Sequence, residues 1–520
     1  MHLKFKKRIN KNGTIAEYVQ VVESYRNTNG KTKHKVIASL GRKDNPNFKE
    51  KMTALTLKFA QLADINDLVD LKNDLTNVWS KTIGPNLVFR KLWNDLEFND
   101  IFDCDYHEHI FMMVLNRLCD PKSKLSCMKW KEGVYELLWD NIQLHDLYKA
   151  LDWLEKNKPK LEVRMFNKIK NLFNQDVDLI LFDTTSVSYW GEGNNAPNLL
   201  KRGHAKNKRN DLKQIMVGLF MTKEGIPVGH EVFPGNQVDV VSFPQVITKL
   251  KNNFNLNKVV WVCDRGMISS ANLSLLDGLK QEYIIGVKMR QLNSALRHTL
   301  LGNVNDHLIG KVAKNLFVKE VLADDRRYIV CFNPEQAIID ANNREHFKEI
   351  ITRKVLEKAD KSWIMKNGYK KYLNLKEDII ESIDYEKLEK EKIYDGKWIL
   401  LTNTKFDYTE VAKHYKSLWQ IENAFKELKS TLDLSPMYHW KEKRIKGHVF
   451  ICFLALALEL GFKKLLKNCS YSEVMEDLKR LQAILHRVKD TEFIKRTEIF
   501  GKGDLAFRAA QLQIPGIDLL

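Results

Sequence analysis

Leu179-Ile180-Leu181-Phe182-Asp183-Thr184-Thr185-Ser186 is an apolar run that ends on a carboxylate and then turns to small hydroxyl residues. It is too short for a helix and too uniformly apolar for a surface strand, so it predicts a buried central strand. A buried aspartate is costly unless it is paired or bound to a cation. At the carboxyl end of a strand in an open α/β sheet it faces the crevice where ligands bind. Val259-Val260-Trp261-Val262-Cys263-Asp264-Arg265-Gly266 repeats the pattern, an apolar strand ending on a carboxylate.

Between these runs lies a polar, basic loop, Tyr189–Lys213, carrying Lys201, Arg202, His204, Lys206, Arg209 and Lys213. Strands are predicted at Gln214–Thr222 and Pro227–Phe233, then a helix at Pro244–Phe254, a helix at Ser269–Lys280 and a strand at Tyr283–Val287. Three consecutive strands, a helix, then two strands separated by a helix is the order of the ribonuclease-H-like fold. The expected class is therefore α/β with a mixed sheet. Residues 176–287 form the first part of this core, and 288–395 read as an inserted subdomain. Residues 396–435 return with a strand, Lys397–Thr402, and a helix, Thr409–Leu432. In that helix Leu418, Ile421, Phe425, Leu428 and Leu432 make a core-facing stripe. Tyr415, Glu422, Lys426 and Lys429 fall on an adjacent one.

The flanks are basic or helical. Residues 1–50 carry 12 Lys and Arg against 4 Asp and Glu. They contain two β-prone runs, Ile15–Tyr25 and Lys33–Leu40, joined through the turn signal Asn29-Gly30. Such an arm fits a DNA groove, and a solvated hairpin reads equally well. Residues 51–175 read as an all-helical region able to contact DNA, with helices Leu144–Lys158 and Leu161–Phe173 separated near Pro159. Residues 436–520 open on a cationic run with Lys441, Lys443 and Arg444. An apolar helix (His448–Leu460) and amphipathic helices at Ser472–Leu485 and around Phe493 follow, suited to dimerisation or DNA binding.

Composition narrows the function classes. The chain has 520 residues with 84 Lys and Arg against 66 Asp and Glu, a formal charge of +18 and pI ≈ 9.3. That surplus points to a polyanion, nucleic acid before membrane; a generically basic proteome gives the same sign. Seven cysteines without a C-x-x-C pair argue against a disulfide framework or structural zinc and suit a reducing cytoplasm. The first residues lack the apolar core of a signal peptide. The longest apolar run, Val449–Leu458, falls short of a membrane span. A soluble, cytoplasmic, nucleoid-associated protein is expected.

Two strand-end aspartates and a glutamate on a late helix make an oxygen-rich donor set for Mg²⁺ or Mn²⁺. Two such ions can activate a water or a 3′-hydroxyl at a phosphodiester. The blocks around Leu181–Ser186, Gly229–Asn236, Val262–Met267 and Tyr415–Glu422 resemble the DDE transposases of bacterial insertion sequences. They are most similar to the IS-four superfamily, whose ribonuclease-H-like core carries an insertion before the glutamate helix. The resemblance implies Asp183, Asp264 and Glu422 as the catalytic, metal-binding triad with two Mg²⁺ or Mn²⁺ ions per active site. It further implies double-stranded DNA partners (terminal inverted repeats and target), a homodimer on DNA and no membrane. In the family's signature around the glutamate, Tyr415, Glu422 and Lys429 match. Leu418 stands where an arginine is expected, which leaves a phosphate contact to Lys416, Lys426 or Arg265. Trp363 and Trp398 are the candidates for stabilising a flipped base.

The DNA-contacting set expected here is Tyr415, Lys426, Lys429 and Arg265, the loop cations from Lys201 to Lys213, and Lys441, Lys443 and Arg444. His230 and Thr184 are read as supporting residues behind the carboxylates. The implied reaction is metal-dependent cleavage at transposon ends followed by 3′-hydroxyl strand transfer. A ribonuclease-H-like nuclease without strand transfer, or a domesticated, non-catalytic DNA-binding protein, fits the same residues.

Overall fold

The computed structural model describes the chain except residues 12, 29, 64–74, 173–178, 192–195, 204–208, 255–258, 303–309, 357–371, 377–378, 468, 489–490 and 520. The chain divides into two compact units, one of Met1–Trp79 with Ile484–Lys495 and one of Ser80–Ala483 with Arg496–Leu519.

The first unit opens with an antiparallel meander of β1 (His2–Ile9), β2 (Ile15–Arg26) and β3 (Thr32–Arg42). Two strands were expected, and the structure adds β1, paired along its whole length from His2 opposite Val22 to Ile9 opposite Ile15. The β2–β3 turn closes through Gly30 N–H donating to Asn27 O at 2.9 Å, with Gly30 at φ +72°. That left-handed conformation is the reason for glycine there. Asn29 lies outside the described residues. A helix, Phe48–Leu62, follows. A second small sheet joins β4 (Leu75–Thr82) to a later hairpin in the order given below.

The second unit is organised by the Asp183 strand. In chain order its strands are β5 (Leu179–Ser188), β6 (Lys201–Arg202), β7 (Lys213–Thr222), β8 (Pro227–Pro234), β9 (Val260–Cys263), β10 (Glu282–Gly286), β11 (Gly310–Ala313), β12 (Leu316–Ala323) and β13 (Arg326–Phe332). Then come a small hairpin, β14 (Leu373–Lys376) and β15 (Ile379–Ile383), and the returning strand β16 (Lys397–Thr402). The large sheet runs β11-β12-β13-β16-β10-β9-β5-β7-β6, with β8 also on β7. The ribonuclease-H-like order is thus β8-β7-β5-β9-β10, antiparallel at β5–β7 and parallel at β5–β9 and β9–β10. The inserted segment is not wholly a separate subdomain, because β11, β12 and β13 extend the same sheet through β16. Apolar strands such as Tyr328–Phe332 have unpaired ladder groups to satisfy, and the β16 edge supplies them.

One face of the sheet buries Phe182, Phe220, Phe243 and Trp261, with Phe182 and Phe220 stacked 4.9 Å apart. The helix beneath them spans Asp239–Phe254, five residues longer at its start than expected. Pro244 has no N–H to offer the Val240 carbonyl, and the Asn272 amide donates to that carbonyl instead at 2.9 Å. The same amide reaches Met267 O at 2.8 Å, which ties the start of this helix to the loop after Asp264.

Two long helices pack against each other and against β8. Pro159 does not divide two helices: Leu144–Leu172 is a single helix of 29 residues. An internal proline costs a helix about 3 kcal/mol, and packing against the long helix Glu442–Leu466 and against β8 offsets that cost. The central stretch of Glu442–Leu466, residues 447–458, is buried on nearly all sides, as an apolar stretch of helix must be. It crosses the Leu144–Leu172 helix at Gly447, where a Cβ would lie 2.8 Å from the Leu151 carbonyl carbon. Beyond the helix Tyr471–Lys479, the expected helical character gives way to β17 (Gln482–Val488) and β18 (Thr491–Arg496), in the sheet order β18-β17-β4. The run carries Ile484 and Val488, β-branched residues that suit a strand. Among the described residues no helix is long and apolar enough to cross a membrane.

Candidate active site

The parallel register of β5 and β9 pairs Phe182 with Cys263. The next residues, Asp183 and Asp264, therefore stand side by side on neighbouring strands about 4.8 Å apart. Asp264 follows the end of β9, whereas Asp183, expected at a strand end, lies midway along β5, which continues to Ser188 against β7. Asp183 is half-buried and Asp264 exposed. Both fields reach Cys263: burial first, then the two aspartates, push its thiol well above its ordinary value. It stays protonated and is no nucleophile.

Asp407 starts the late helix with a capping box, its side chain paired reciprocally with the Glu410 turn. The single helix expected over Thr409–Leu432 is broken. It runs Tyr408–Lys416, resumes at Trp419–Lys426 and ends in a wide π turn, Glu427–Thr431. The apolar stripe is as expected, with Leu418, Ile421, Phe425, Leu428 and Leu432 all buried. The Trp419–Lys426 segment packs over β5 and β7, and its exposed Glu422 opens into the same cleft as Asp183 and Asp264. That cleft has a volume of about 810 Å³.

Residues 176–458 match the transposase DDE domain, and residues 3–61 match the N-terminal domain of IS1634 family transposases. The chain belongs to the DDE transposases. Its activity is transposition. A comparison with curated protein sequences gave no match. Among solved structures, the chain is similar to a Mos1 transposase paired-end complex with the left transposon end at 13% identity. It is similar to a Mos1 mariner paired-end complex with Mn at 10% identity. Each alignment covers 46% of this chain and 68% of the other, with a TM-score of 0.15.

The other residues expected in the transposase site divide. Arg265 and Lys416 line the cleft, as does Trp398; Trp363 lies outside the described residues. Lys426 instead lines a separate cavity beside Asn423 and Ser430. Lys429 sits in the π turn Glu427–Thr431 and is not among the residues that line the cleft. Leu418, where an arginine was expected, is buried beside the cleft. Of the loop cations, Lys201 and Arg202 form a short edge strand against Lys213 and Gln214, and Arg209 pairs with Asp211 at 2.8 Å. His204 and Lys206 lie outside the described residues. Lys441, Lys443 and Arg444 open the Glu442–Leu466 helix, away from the cleft.

Tyr415 is a donor to a carboxylate. Its hydroxyl reaches Asp264 Oδ1 at 3.3 Å, and burial, followed by the Asp264 charge, pushes its pKa far up. Gly286 makes the room: a Cβ there would run into the Tyr415 hydroxyl and lie 3.0 Å from Arg265 N. Gly286→Ala is expected to displace Tyr415 and lower end cleavage about 10-fold while costing about 1–3 kcal/mol of stability, the range for overpacking. Cleavage assays beside a denaturant titration read both.

Thr184 behaves as a supporting residue: its N–H donates to Asp183 Oδ1 at 2.7 Å and its hydroxyl donates to Asp239. His230 does not line the cleft. It is 1% exposed, its ring packs 4.8 Å from Phe453, and its neighbours are Lys158 and Glu162.

Three residues of the site were not singled out in the sequence. Asp239 begins the helix after β8; a Cβ on Gly266 would lie 3.2 Å from Asp239 Oδ2 and 3.9 Å from Asp264 Oδ2. Its only sequence signal was its place just beyond the Gly229–Asn236 block. Lys314, in the turn between β11 and β12, and Lys397, at the start of β16, line the cleft, and burial pushes the Lys397 ammonium down. Nothing in a one-dimensional pattern joins them to Asp183.

Proposed function

We propose that the transposase cuts the ends of its element and joins the freed 3′-hydroxyl to target DNA, with Asp183, Asp264 and Glu422 as its catalytic carboxylates. The observation that carries this reading is the shared cleft: two neighbouring strands and one helix bring three acidic side chains to it. The donor set is all oxygen, which fits Mg²⁺ or Mn²⁺. Among the described residues no three His, Cys, Asp or Glu side chains stand close enough to hold an ion outright. Glu422, exposed and lining the same cleft, would complete the set. Bound there, two such ions supply an activated oxygen nucleophile and charge stabilisation at the phosphodiester. The chain's own cations, Arg265, Lys314, Lys397 and Lys416, position the phosphate backbone along the cleft.

Asp239 completes the arrangement by holding Thr184 and adding charge beside Asp264. Asp239→Asn keeps an acceptor for Thr184 and removes the charge. It should raise the Mg²⁺ concentration needed for half-maximal cleavage about 10-fold or more, as loss of a supporting partner does. An unchanged Mg²⁺ titration would reject this role.

The element's family belongs, on this reading, with the IS-four superfamily. Residues 1–50 and 51–175 recognise terminal inverted repeats, 288–395 is the insertion, and 436–520 supports a homodimer on double-stranded DNA. Incubating the protein with duplexes of the element's ends and Mg²⁺ tests the reaction, and pre-cleaved ends with a plasmid target test joining. A nuclease cuts without producing joined strands, and a domesticated binding protein retains the duplex and leaves it intact.

A further inference from the structure

Away from the cleft, Arg117 and Lys124 are both buried, each with 3% of its surface exposed. They line a cavity of about 230 Å³ together with Lys122, His439, Lys441 and Arg444. Arg117 caps the end of the glutamate helix, donating to the Leu432 and Asp433 carbonyls at 3.4 Å and also to the Lys122 carbonyl, and its Nε has no acceptor among the described residues. Lys124 Nζ meets only His448 Nδ1 there, at 3.5 Å. Arg444 lies 4.4 Å over the Tyr148 ring and 3.7 Å from Asp152, with no hydrogen-bond acceptor for its Nε.

The acids do not balance these charges. Asp433 is half-exposed and 3.8 Å from Arg117, and Asp120 is taken by Lys122 at 2.9 Å. The field is strong enough to suppress other cations. Burial, then Arg117, takes Lys124 down to about 7, and burial with Lys124 and Arg117 takes His439 down to about 3. Buried charge without a counter-charge costs several kcal/mol per ion, and apolar residues of the same volume would pack this corner without that cost. A bound anion removes the penalty.

We propose that the cavity walled by Arg117, Lys124, His439, Lys441 and Arg444 is a phosphate-binding site. The shared chemistry is a tetrahedral phosphate with several anionic oxygens, from a nucleic-acid backbone or from a free phosphate. The site is separate from the carboxylate cleft; only its backbone arm rests on the transposase reading.

The test is thermal melting of the full chain in chloride and in inorganic phosphate at equal ionic strength. About 20 mM phosphate should raise the midpoint by roughly 2 °C or more. Lys124→Met should melt no lower than wild type in chloride and lose the phosphate increment; Arg444→Gln, at the mouth, should lose most of it. Asp264→Asn should keep it, so that failure of the site and failure of the catalytic reading are told apart. A wild-type midpoint indifferent to phosphate, or a full increment in Lys124→Met, overturns the proposal. Binding to an unrelated duplex separates the sources. A strand phosphate predicts about 10-fold weaker binding by Lys124→Met and a salt slope reduced by about one, whereas a free phosphate leaves both unchanged.

Discussion

Asp183→Asn, Asp264→Asn and Glu422→Gln should each abolish end cleavage, with a loss of about a thousandfold or more, while duplex binding and the melting midpoint stay near wild type. The magnitude follows from what a carboxylate-held metal site supplies, several kcal/mol of transition-state stabilisation, at about 1.4 kcal/mol per decade of rate. Asp264 and Glu422 are exposed and Asp183 half-exposed, so neutralising them breaks no core contact. Removing charge from an acidic cluster also relieves repulsion between neighbours. The measurement is single-turnover nicking of an end duplex in Mg²⁺, repeated in Mn²⁺. Any one of the three variants cutting at the wild-type rate in both metals would remove that residue from the triad.

Lys158→Met should have the largest effect on stability, a loss of about 3–5 kcal/mol, the cost of stranding a buried charge. Lys158 Nζ reaches Glu162 Oε2 at 2.6 Å, the His230 carbonyl at 2.6 Å and Glu231 Oε1 at 2.9 Å. Glu162 in turn accepts from His230 N at 3.1 Å. This network fastens β8 to the Leu144–Leu172 helix. Burial pushes the Glu162 carboxyl up, but Lys158 and His230 outweigh it and hold it well below its ordinary value of 4.5. A carboxylate depressed in the folded state contributes stability that is complete above that ordinary value and lost as pH falls below it. The wild-type protein should therefore lose stability from about pH 4.5 downward, whereas the deficit of Lys158→Met should narrow over the same range as Glu162 takes a proton. Urea unfolding at several pH values checks both; a deficit constant with pH would show that Lys158 acts through packing alone.

Much of the core was legible because its signals are local. The apolar runs before Asp183 and Asp264 are buried strands, since a short run without polar alternation has to be covered on both faces. The inward stripe from Leu418 to Leu432 follows from helical period alone. Local period misleads where neighbours decide the outcome. Pro159 reads as a break, yet burial against two elements carries the helix through it. The glutamate helix reads as continuous, yet it breaks at Ser417 and Leu418 and widens into a π turn after Lys426. His2–Ile9 alternates as a strand should, but its high charge concealed it.

By itself, the sequence determined that two apolar runs, each leading into an aspartate, form buried central strands. It missed that the first continues past Asp183 to Ser188, because the small hydroxyl residues there are buried by pairing with β7. It also carried the family resemblance. Only the tertiary structure decided what surrounds those carboxylates: Asp239 from the far face, Tyr415 in the space Gly286 leaves, and Lys314 and Lys397 from a turn and a strand that follow Asp183 by more than a hundred residues. The physical reason is range. Backbone preference and hydrophobic period act over a few residues, whereas electrostatic and hydrogen-bond partners are chosen by distance in space, which the fold alone sets.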